Sequence, residues 1–280
     1  MARGTRADGP GYGRRLNAAV AKRARLARYR PEEALSLVTS DGVRLTGARL
    51  EGPPDAFATV VLVHGFSHSS RQPRIHAFAR RLAREVHVLV PDLRGHGRSG
   101  GVCTLGTEEP LDVAAAVAAA RPGLPVITVG VSLGGAAVLL HAGMHGGVGG
   151  VVAVSSPAWW GAWDTAPTRR IYRYATSRAG RAVMATVLRT RIATRCDGIP
   201  DARDIAAAIA PAFTLVVADP DDHYFAREHP EAIYAWANEP KSLWLEEGMG
   251  HGTDLLTPSL ADRLLADTRR RVLAGEGPPS

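Results

Sequence analysis

The sequence predicts an α/β fold in which a mostly parallel eight-stranded sheet has helices on both faces and an inserted helical cap. Short apolar runs of strand length alternate with helix-length segments along most of the chain, a pattern typical of a parallel sheet with crossover helices. The alternation stops at Ser155 and resumes at Phe213. The sequence Gly130-Val131-Ser132-Leu133-Gly134 follows a β-branched run and indicates a sharp strand-to-helix turn.

The individual elements follow from local patterns. Residues 35–39 and 43–51 are predicted to form an antiparallel hairpin, because Ser40-Asp41-Gly42 between them is a turn sequence. The remaining strands are predicted at 59–63, 86–90, 126–129, 148–154, 213–218 and 242–245, and the main helices at 71–84, 108–120, 133–144, 226–237 and 258–273. Since strand and helix alternate after the hairpin, these strands should be parallel.

Shifts in composition predict the domain boundaries. Residues 1–34 are glycine-rich and then basic, and are predicted to be an N-terminal extension with a helix at 16–30. Residues 35–273 are predicted to form the main domain, with the helical cap inserted at about 157–211. Residues 274–280 are expected to be a flexible C-terminal tail.

The composition is typical of a soluble globular domain, with 45% hydrophobic and 22% charged residues in a chain of 280. No apolar run reaches the length of a membrane-spanning helix, and the basic N-terminus lacks the apolar core of a secretion signal, so a cytoplasmic location is expected. Cys103 and Cys196 form no metal-binding or disulfide pattern. Only two of the 34 basic residues are lysines, which is typical of a GC-rich bacterial genome.

The net charge of +7 is unevenly distributed along the chain. Residues 1–30 carry nine Arg or Lys and one Asp, and the remaining chain is close to neutral. A second basic block at 165–196 contains eight arginines and no acidic residue. One interpretation is an anionic substrate or a weak contact of the N-terminus or cap with an anionic surface, and the other is a solvated helix face. Nucleic acid is not an expected partner.

Ser132 has the position of a nucleophile, and a serine nucleophile needs a base and a third group that orients the base. In an α/β sheet these groups collect at the carboxyl ends of the strands. The candidate acids Asp219, Asp221 and Asp222 follow strand 213–218, and the candidate base His251 follows strand 242–245.

Four short motifs bear on the fold and the chemistry together. They are His64-Gly65-Phe66, the loop Asp92-Leu93-Arg94-Gly95-His96-Gly97-Arg98-Ser99, the turn Gly130-Val131-Ser132-Leu133-Gly134-Gly135, and Gly250-His251-Gly252. Together they resemble the motifs of the α/β-hydrolase fold serine hydrolases, over about residues 35–273. The chain order Ser, Asp, His agrees with that resemblance.

The resemblance implies that Ser132 is the nucleophile, that His251 is the general acid and base, and that an aspartate after the seventh strand orients His251. Asp222 begins the sequence Asp-His-Tyr-Phe, which fits the family pattern best. Asp221 is the second choice for the orienting acid and Asp219 is the third.

The resemblance also implies an oxyanion hole made of the backbone N–H groups of Phe66 and Leu133. Trp159 and Trp160 lie where the predicted cap begins. They are interpreted either as a wall for the acyl or aryl group of the substrate or as packing of the cap against the sheet. Neither a metal nor an organic cofactor is implied.

Other polar residues are interpreted as structural. His141 and His145 are four residues apart but lack the Glu of a zinc-binding helix motif, so they indicate a helix end. The charged loop 92–99 is expected to support the architecture. Ser155 and Ser156 lack the flanking glycines of a nucleophile turn and are poor alternative nucleophiles.

The resulting hypothesis is a serine hydrolase that acts on a small-molecule carboxylic ester or thioester through an acyl-enzyme intermediate. The alternative enzymes are an acyltransferase with the same three residues and an aminopeptidase. A non-catalytic binding protein on the same fold is the alternative from another class.

Overall fold

The computed structural model describes residues 33–160, 165–196 and 198–275. Eight strands lie within these residues: β1 Glu33–Val38, β2 Arg44–Leu50, β3 Thr59–Val63, β4 His87–Pro91, β5 Val126–Val131, β6 Gly150–Val154, β7 Phe213–Ala218 and β8 Lys241–Leu245. They form one sheet in the order β1-β2-β4-β3-β5-β6-β7-β8. The β1–β2 and β2–β4 pairs are antiparallel and the other five pairs are parallel. The predicted sheet is therefore confirmed.

The described residues also contain eight α-helices: α1 Pro73–Leu82, α2 Glu109–Ala118, α3 Leu133–His145, α4 Ala166–Thr176, α5 Arg178–Val187, α6 Ala202–Ile205, α7 Glu228–Trp236 and α8 Pro258–Leu273. Helices α1 and α2 begin later than predicted because each has a proline in its first turn, where a missing N–H costs nothing. None of the helices in this part of the chain is long and apolar enough to cross a membrane. The predicted helix at 16–30 and Trp163 lie outside the described residues.

The sheet is buried on both faces because its parallel strands carry apolar residues at successive positions. In β3, Val60 and Leu62 belong to an apolar cluster with residues of α1 and α8. Val61 and Val63 belong to a second cluster, with residues of α2 and α3. Successive side chains of a strand point to opposite faces, so one strand contributes to both clusters. The prediction of helices on both faces is confirmed.

Residues 157–211 lie between β6 and β7 and are called the cap segment here. Their described part contains α4, α5 and α6 and no strand of the sheet. Backbone hydrogen bonds tie this segment to the loop after β4. The Cys103 N–H donates to the Arg191 carbonyl at 2.7 Å, and the Arg191 N–H donates to the Gly95 carbonyl at 2.8 Å. The cap segment and the carboxyl end of β4 are thus joined directly.

Candidate active site

Ser132 lies in the sharp turn between β5 and α3. Its backbone has φ 54° and ψ −116°, a conformation that costs free energy for a residue with a Cβ. A Cβ on Gly130 would lie 2.1 Å from the Gly134 carbonyl oxygen, and a Cβ on Gly134 would lie 2.4 Å from the Val63 carbonyl oxygen. The Gly-x-Ser-x-Gly spacing is therefore required by close backbone approach on both sides of Ser132.

The Ser132 side chain meets residues that follow two other strands. His251 Nε2 is 3.1 Å from Ser132 Oγ, and His251 Nδ1 is 2.6 Å from Asp222 Oδ2. Asp222 follows β7 and His251 follows β8. Because these strands are parallel to β5, all three groups lie at the carboxyl end of the sheet. Only 1% of the Asp222 side chain is exposed, and low exposure strengthens its interaction with the imidazole. With the proton on Nδ1, Nε2 is free to accept from the Ser132 hydroxyl.

The other two aspartates after β7 do not contact His251. Asp219 Oδ2 accepts from the Gly250 N–H at 2.6 Å, and Asp219 Oδ1 accepts from the Asp221 N–H at 2.9 Å. Burial raises the pKa of Asp219, but the N–H groups of Gly250 and Asp221 outweigh burial and hold it below its usual value. The Asp221 side chain is exposed. Asp219 therefore supports the loop that carries His251, a role that sequence reasoning missed.

Ser155 supports the same loop from the end of β6. It is buried, has a positive φ of 49°, and its Oγ accepts from the Gly252 N–H at 3.0 Å. Gly250 and Gly252 flank His251, so this loop is held on both sides of the histidine. The sequence signal for this role is the position of Ser155 directly after a buried strand, at the same carboxyl end of the sheet as Ser132.

Two aromatic side chains that follow Asp222 pack against the imidazole of His251. The ring centroids of Tyr224 and Phe225 lie 4.3 Å and 5.5 Å from that of His251. The Thr165 hydroxyl donates to the Tyr224 carbonyl at 3.3 Å, which links this loop to the cap segment. These contacts restrict rotation of the imidazole between Asp222 and Ser132.

The loop after β3 runs directly beside Ser132. A Cβ on Gly65 would lie 3.3 Å from Ser132 Cβ, and Phe66 is the next residue along the loop. Leu133 is the first residue of α3, where the N–H groups have no acceptor within the helix. Neither the Phe66 N–H nor the Leu133 N–H donates a hydrogen bond to any described residue. Two unused backbone donors therefore lie next to Ser132.

Two buried histidines fix this loop. His64 Nε2 accepts from the Leu93 N–H at 3.0 Å, and His96 Nε2 accepts from the Ser67 N–H at 3.2 Å. Burial lowers the pKa of both histidines, so both are neutral and accept through Nε2. These contacts agree with the architectural role expected for the loop 92–99.

The two tryptophans at the start of the cap segment have different surroundings. Trp159 stacks on His229 with ring centroids 4.2 Å apart and lies 6.0 Å from the Trp236 ring. This packing against α7 favours the structural interpretation of Trp159. Trp160 instead lines a cavity of about 590 Å³, together with Tyr172 and other residues of the cap segment.

The described residues contain no group of three or more His, Cys, Asp or Glu side chains that could hold a metal ion. His141 and His145 lie near the end of α3 with ring centroids 5.6 Å apart and belong to no such group.

Solved structures with a similar fold include two esterases and a hydrolase. The esterase Pf2001 of Pyrococcus furiosus has a TM-score of 0.67 and 18% identity, over 96% of this chain and 99% of that chain. The esterase RhEst1 from Rhodococcus sp. ECU1013 has a TM-score of 0.62 and 22% identity, over 86% of this chain and 98% of that chain. A hydrolase from Pseudomonas aeruginosa PA01 has a TM-score of 0.62 and 22% identity, over 87% of this chain and 99% of that chain.

A search of curated proteins found no significant match to the sequence. The sequence profile of the Alpha/beta hydrolase family matches residues 60–277. This range contains the turn that carries Ser132, the ends of β7 and β8, and the cap segment between β6 and β7. The chain belongs to the alpha/beta hydrolase family.

Proposed function

We propose that the protein is a serine hydrolase that cleaves a small-molecule carboxylic ester or thioester through an acyl-enzyme intermediate. The observation that carries the proposal is the chain of contacts from Asp222 through His251 to Ser132 Oγ, with distances of 2.6 Å and 3.1 Å. Both distances are within hydrogen-bond reach, as a nucleophile, its base and its orienting acid require.

In the first half of the reaction, Ser132 Oγ attacks the carbonyl carbon while His251 Nε2 takes the hydroxyl proton. Asp222 accepts from Nδ1–H and stabilises the imidazolium that forms. The N–H groups of Phe66 and Leu133 donate to the oxygen that becomes negative. The leaving alcohol or thiol takes the proton from Nε2, and the acyl group stays on Oγ.

In the second half, a water molecule attacks the acyl carbon while His251 Nε2 takes one of its protons. The bond from the acyl carbon to Ser132 Oγ breaks, Oγ regains a proton, and the carboxylic acid leaves. Tyr224 and Phe225 keep the imidazole in the same orientation in both halves, because they pack against its ring.

We assign substrate contact to Trp160 rather than to Trp159. Trp160 lines the cavity of about 590 Å³, and so does Ala175 of α4. Ala175 also belongs to the apolar cluster against which Phe66 packs. The cavity and Phe66, which would supply one of the two oxyanion donors, are therefore linked through this apolar cluster, and we expect the cavity wall to contact the bound substrate.

The proposal is tested by steady-state hydrolysis of ester and thioester panels of increasing acyl length. Ser132→Ala is expected to lower kcat at least ~10⁴-fold, and Asp222→Asn about 10³- to 10⁴-fold. Ser156→Ala is the matched control, since it removes a buried hydroxyl that donates only to the Pro157 carbonyl, and it should retain its rate within about twofold. An unchanged rate in Ser132→Ala would contradict the proposal.

A further inference from the structure

Three arginines that the proposed mechanism does not use lie beside the loop after β3. Arg71 ends that loop, Arg98 lies in the loop 92–99 after β4, and Arg189 lies in the cap segment after α5. Each guanidinium therefore comes from a different segment of the chain.

Hydrogen bonds join the first two segments next to their arginines. Ser70 precedes Arg71, and its N–H donates to Asp92 Oδ1 at 2.6 Å. Ser99 follows Arg98, and its hydroxyl donates to the Asp92 carbonyl at 2.6 Å. The backbone next to Arg71 and the backbone next to Arg98 are therefore both held in place by hydrogen bonds to Asp92.

The cap segment brings the third arginine to the same place. Thr190, directly after Arg189, forms an isolated β-bridge with His96. The guanidinium of Arg191 donates to the Ser99 carbonyl. Arg189 itself has a φ of 47°, a backbone conformation that is uncommon for a side chain of this size.

Arg71, Arg98 and Arg189, called the arginine cluster here, carry more positive charge than the acidic groups around them balance. Arg98 and Arg189 are exposed, Arg71 is half-buried, and none of the three forms an ion pair with an acidic side chain of the described residues. Burial and the charges of Arg98 and Arg189 lower the pKa of Arg71, while Asp92 acts in the opposite direction. The charges of Arg98 and Arg189 thus act on Arg71 against one buried carboxylate, Asp92, and a bound anion would relieve the repulsion between the guanidinium groups.

The cluster is within reach of a ligand that also occupies the proposed reaction centre. Gly65 contacts Ser132, and Arg71 follows six residues later. Six residues span at most about 20 Å when fully extended. Two backbone turns within 65–72 make the actual path shorter. The two places are therefore less than about 20 Å apart, a distance that an ester with an extended anionic alcohol part can span.

We propose that Arg71, Arg98 and Arg189 bind a phosphate group on the alcohol or thiol part of the substrate. Guanidinium groups match phosphate because each planar fork donates two parallel N–H bonds to two oxygens. The inference rests on the proposed ester or thioester hydrolysis and specifies its substrate class, an acyl group on a phosphorylated leaving group.

The first experiment compares acetate esters of diols with their monophosphorylated counterparts over a series of diol lengths, at constant ionic strength. For the best length, kcat/KM should be at least about tenfold higher with the phosphate present. The triple variant Arg71→Gln/Arg98→Gln/Arg189→Gln should lower that ratio about tenfold. The readout is the ratio between the two esters, so a general loss of activity or folding cancels.

Arg178→Gln is the matched control, because it removes one exposed arginine of the cap segment outside the cluster. It should leave the ratio unchanged. The inference is overturned if the phosphorylated esters have no advantage in the unaltered protein, or if the triple variant changes the ratio no more than Arg178→Gln does.

The second experiment measures binding of inorganic phosphate by calorimetry, which does not depend on esterase activity. Binding should be lost in the triple variant and kept in Arg178→Gln. If every ester resists hydrolysis while phosphate binding still requires the three arginines, the proposed function is wrong and the anion site stands. Phosphate binding without a preference for phosphorylated esters would mean that the site takes a free anion, which overturns the substrate assignment.

Discussion

At the scale of single residues, His251 is held by more groups than the carboxylate beside its ring. Asp222 contacts the imidazole, while Asp219 and Ser155 accept from the backbone N–H groups on either side of the histidine. A base fixed in this way needs little reorganisation when it takes the proton, which lowers the barrier of the proposed reaction.

Asp219→Asn tests this support. The amide that replaces the carboxylate keeps one acceptor oxygen but turns an NH₂ group toward the N–H of either Gly250 or Asp221, so the His251 loop should shift. We expect kcat for ester hydrolysis to fall at least about tenfold with a smaller change in KM. Asp221→Asn is the control, since that side chain is exposed, and it should stay within about twofold. Equal losses in both variants would contradict a positioning role for Asp219.

The proposed catalytic residues are easier to predict from the sequence than the residues that hold their loops in place. Ser132 lies between diagnostic glycines, and His251 follows a predicted strand, so spacing and strand ends single out both as candidates. The same reasoning leaves three aspartates after β7, and only the resemblance to the family favours Asp222. Asp219 and Ser155 act by accepting from backbone N–H groups of another loop. Which N–H lies nearby depends on how closely two strand ends approach, and no local pattern encodes that distance.

At the scale of elements, the junction of β5 and α3 determines where Ser132 lies. α3 begins so close to β3 that the position of Gly134 has no space for a side chain, with the carbonyl oxygens of Val63 and His64 2.4 Å and 2.6 Å from a Cβ there. Helix α3 therefore touches the end of β3 that leads into the loop carrying Phe66. The position of Ser132 relative to Phe66 depends on this contact.

Gly134→Ala should push helix α3 away from strand β3. We expect a loss of about 3 kcal/mol or more in the free energy of unfolding, because the added methyl group meets backbone that must shift. Gly149→Ala is the matched control, since a Cβ there finds its nearest atoms at ordinary contact distance, 3.5 Å and beyond. It should change stability by less than about 1 kcal/mol. Urea unfolding measures both, and similar losses would contradict the close-contact explanation.

The helices of the cap segment show where prediction from sequence stops. Only a helical character is predicted for residues 157–211, because several short helical patterns follow one another there and no local signal fixes where each helix begins and ends. In the structure, Thr165 caps α4, and Ser177 both ends α4 and caps α5 through a hydrogen bond from the Gly180 N–H. Such caps set helix ends one residue at a time, whereas the buried strands are marked by whole runs of apolar residues.

At the scale of the whole molecule, folding also buries histidines that lie outside the proposed triad. Among the buried histidines of the described residues are His64, His96 and His141. Burial lowers the pKa of each, and for His141 burial together with His145 lowers it to about 4. His141 Nδ1 is buried without a hydrogen-bond partner among the described residues.

Because the pKa values of these buried histidines are lowered, we expect acid to destabilise the folded protein. Because their pKa values in the folded protein lie below the unfolded value of about 6.5, the unfolded chain binds protons first as the pH falls. The contribution of these histidines to stability is therefore complete above about pH 6.5 and is lost toward pH 4, and His141 alone contributes about 3 kcal/mol. Urea unfolding at a series of pH values between about 6.5 and about 4 measures the free energy of unfolding at each pH. This free energy should fall less steeply with decreasing pH in His141→Leu than in the unaltered protein. Identical slopes for both proteins would contradict the prediction.

The central claim is that Ser132 is a nucleophile activated by His251. The most direct test is incubation with a fluorophosphonate, followed by intact-protein mass spectrometry and peptide mapping. We expect the addition of one phosphonyl group at Ser132 with loss of fluoride. This modification should be absent in Ser132→Ala and greatly slowed in His251→Asn. A folded protein that stays unmodified, or that is modified at a different serine, would contradict it.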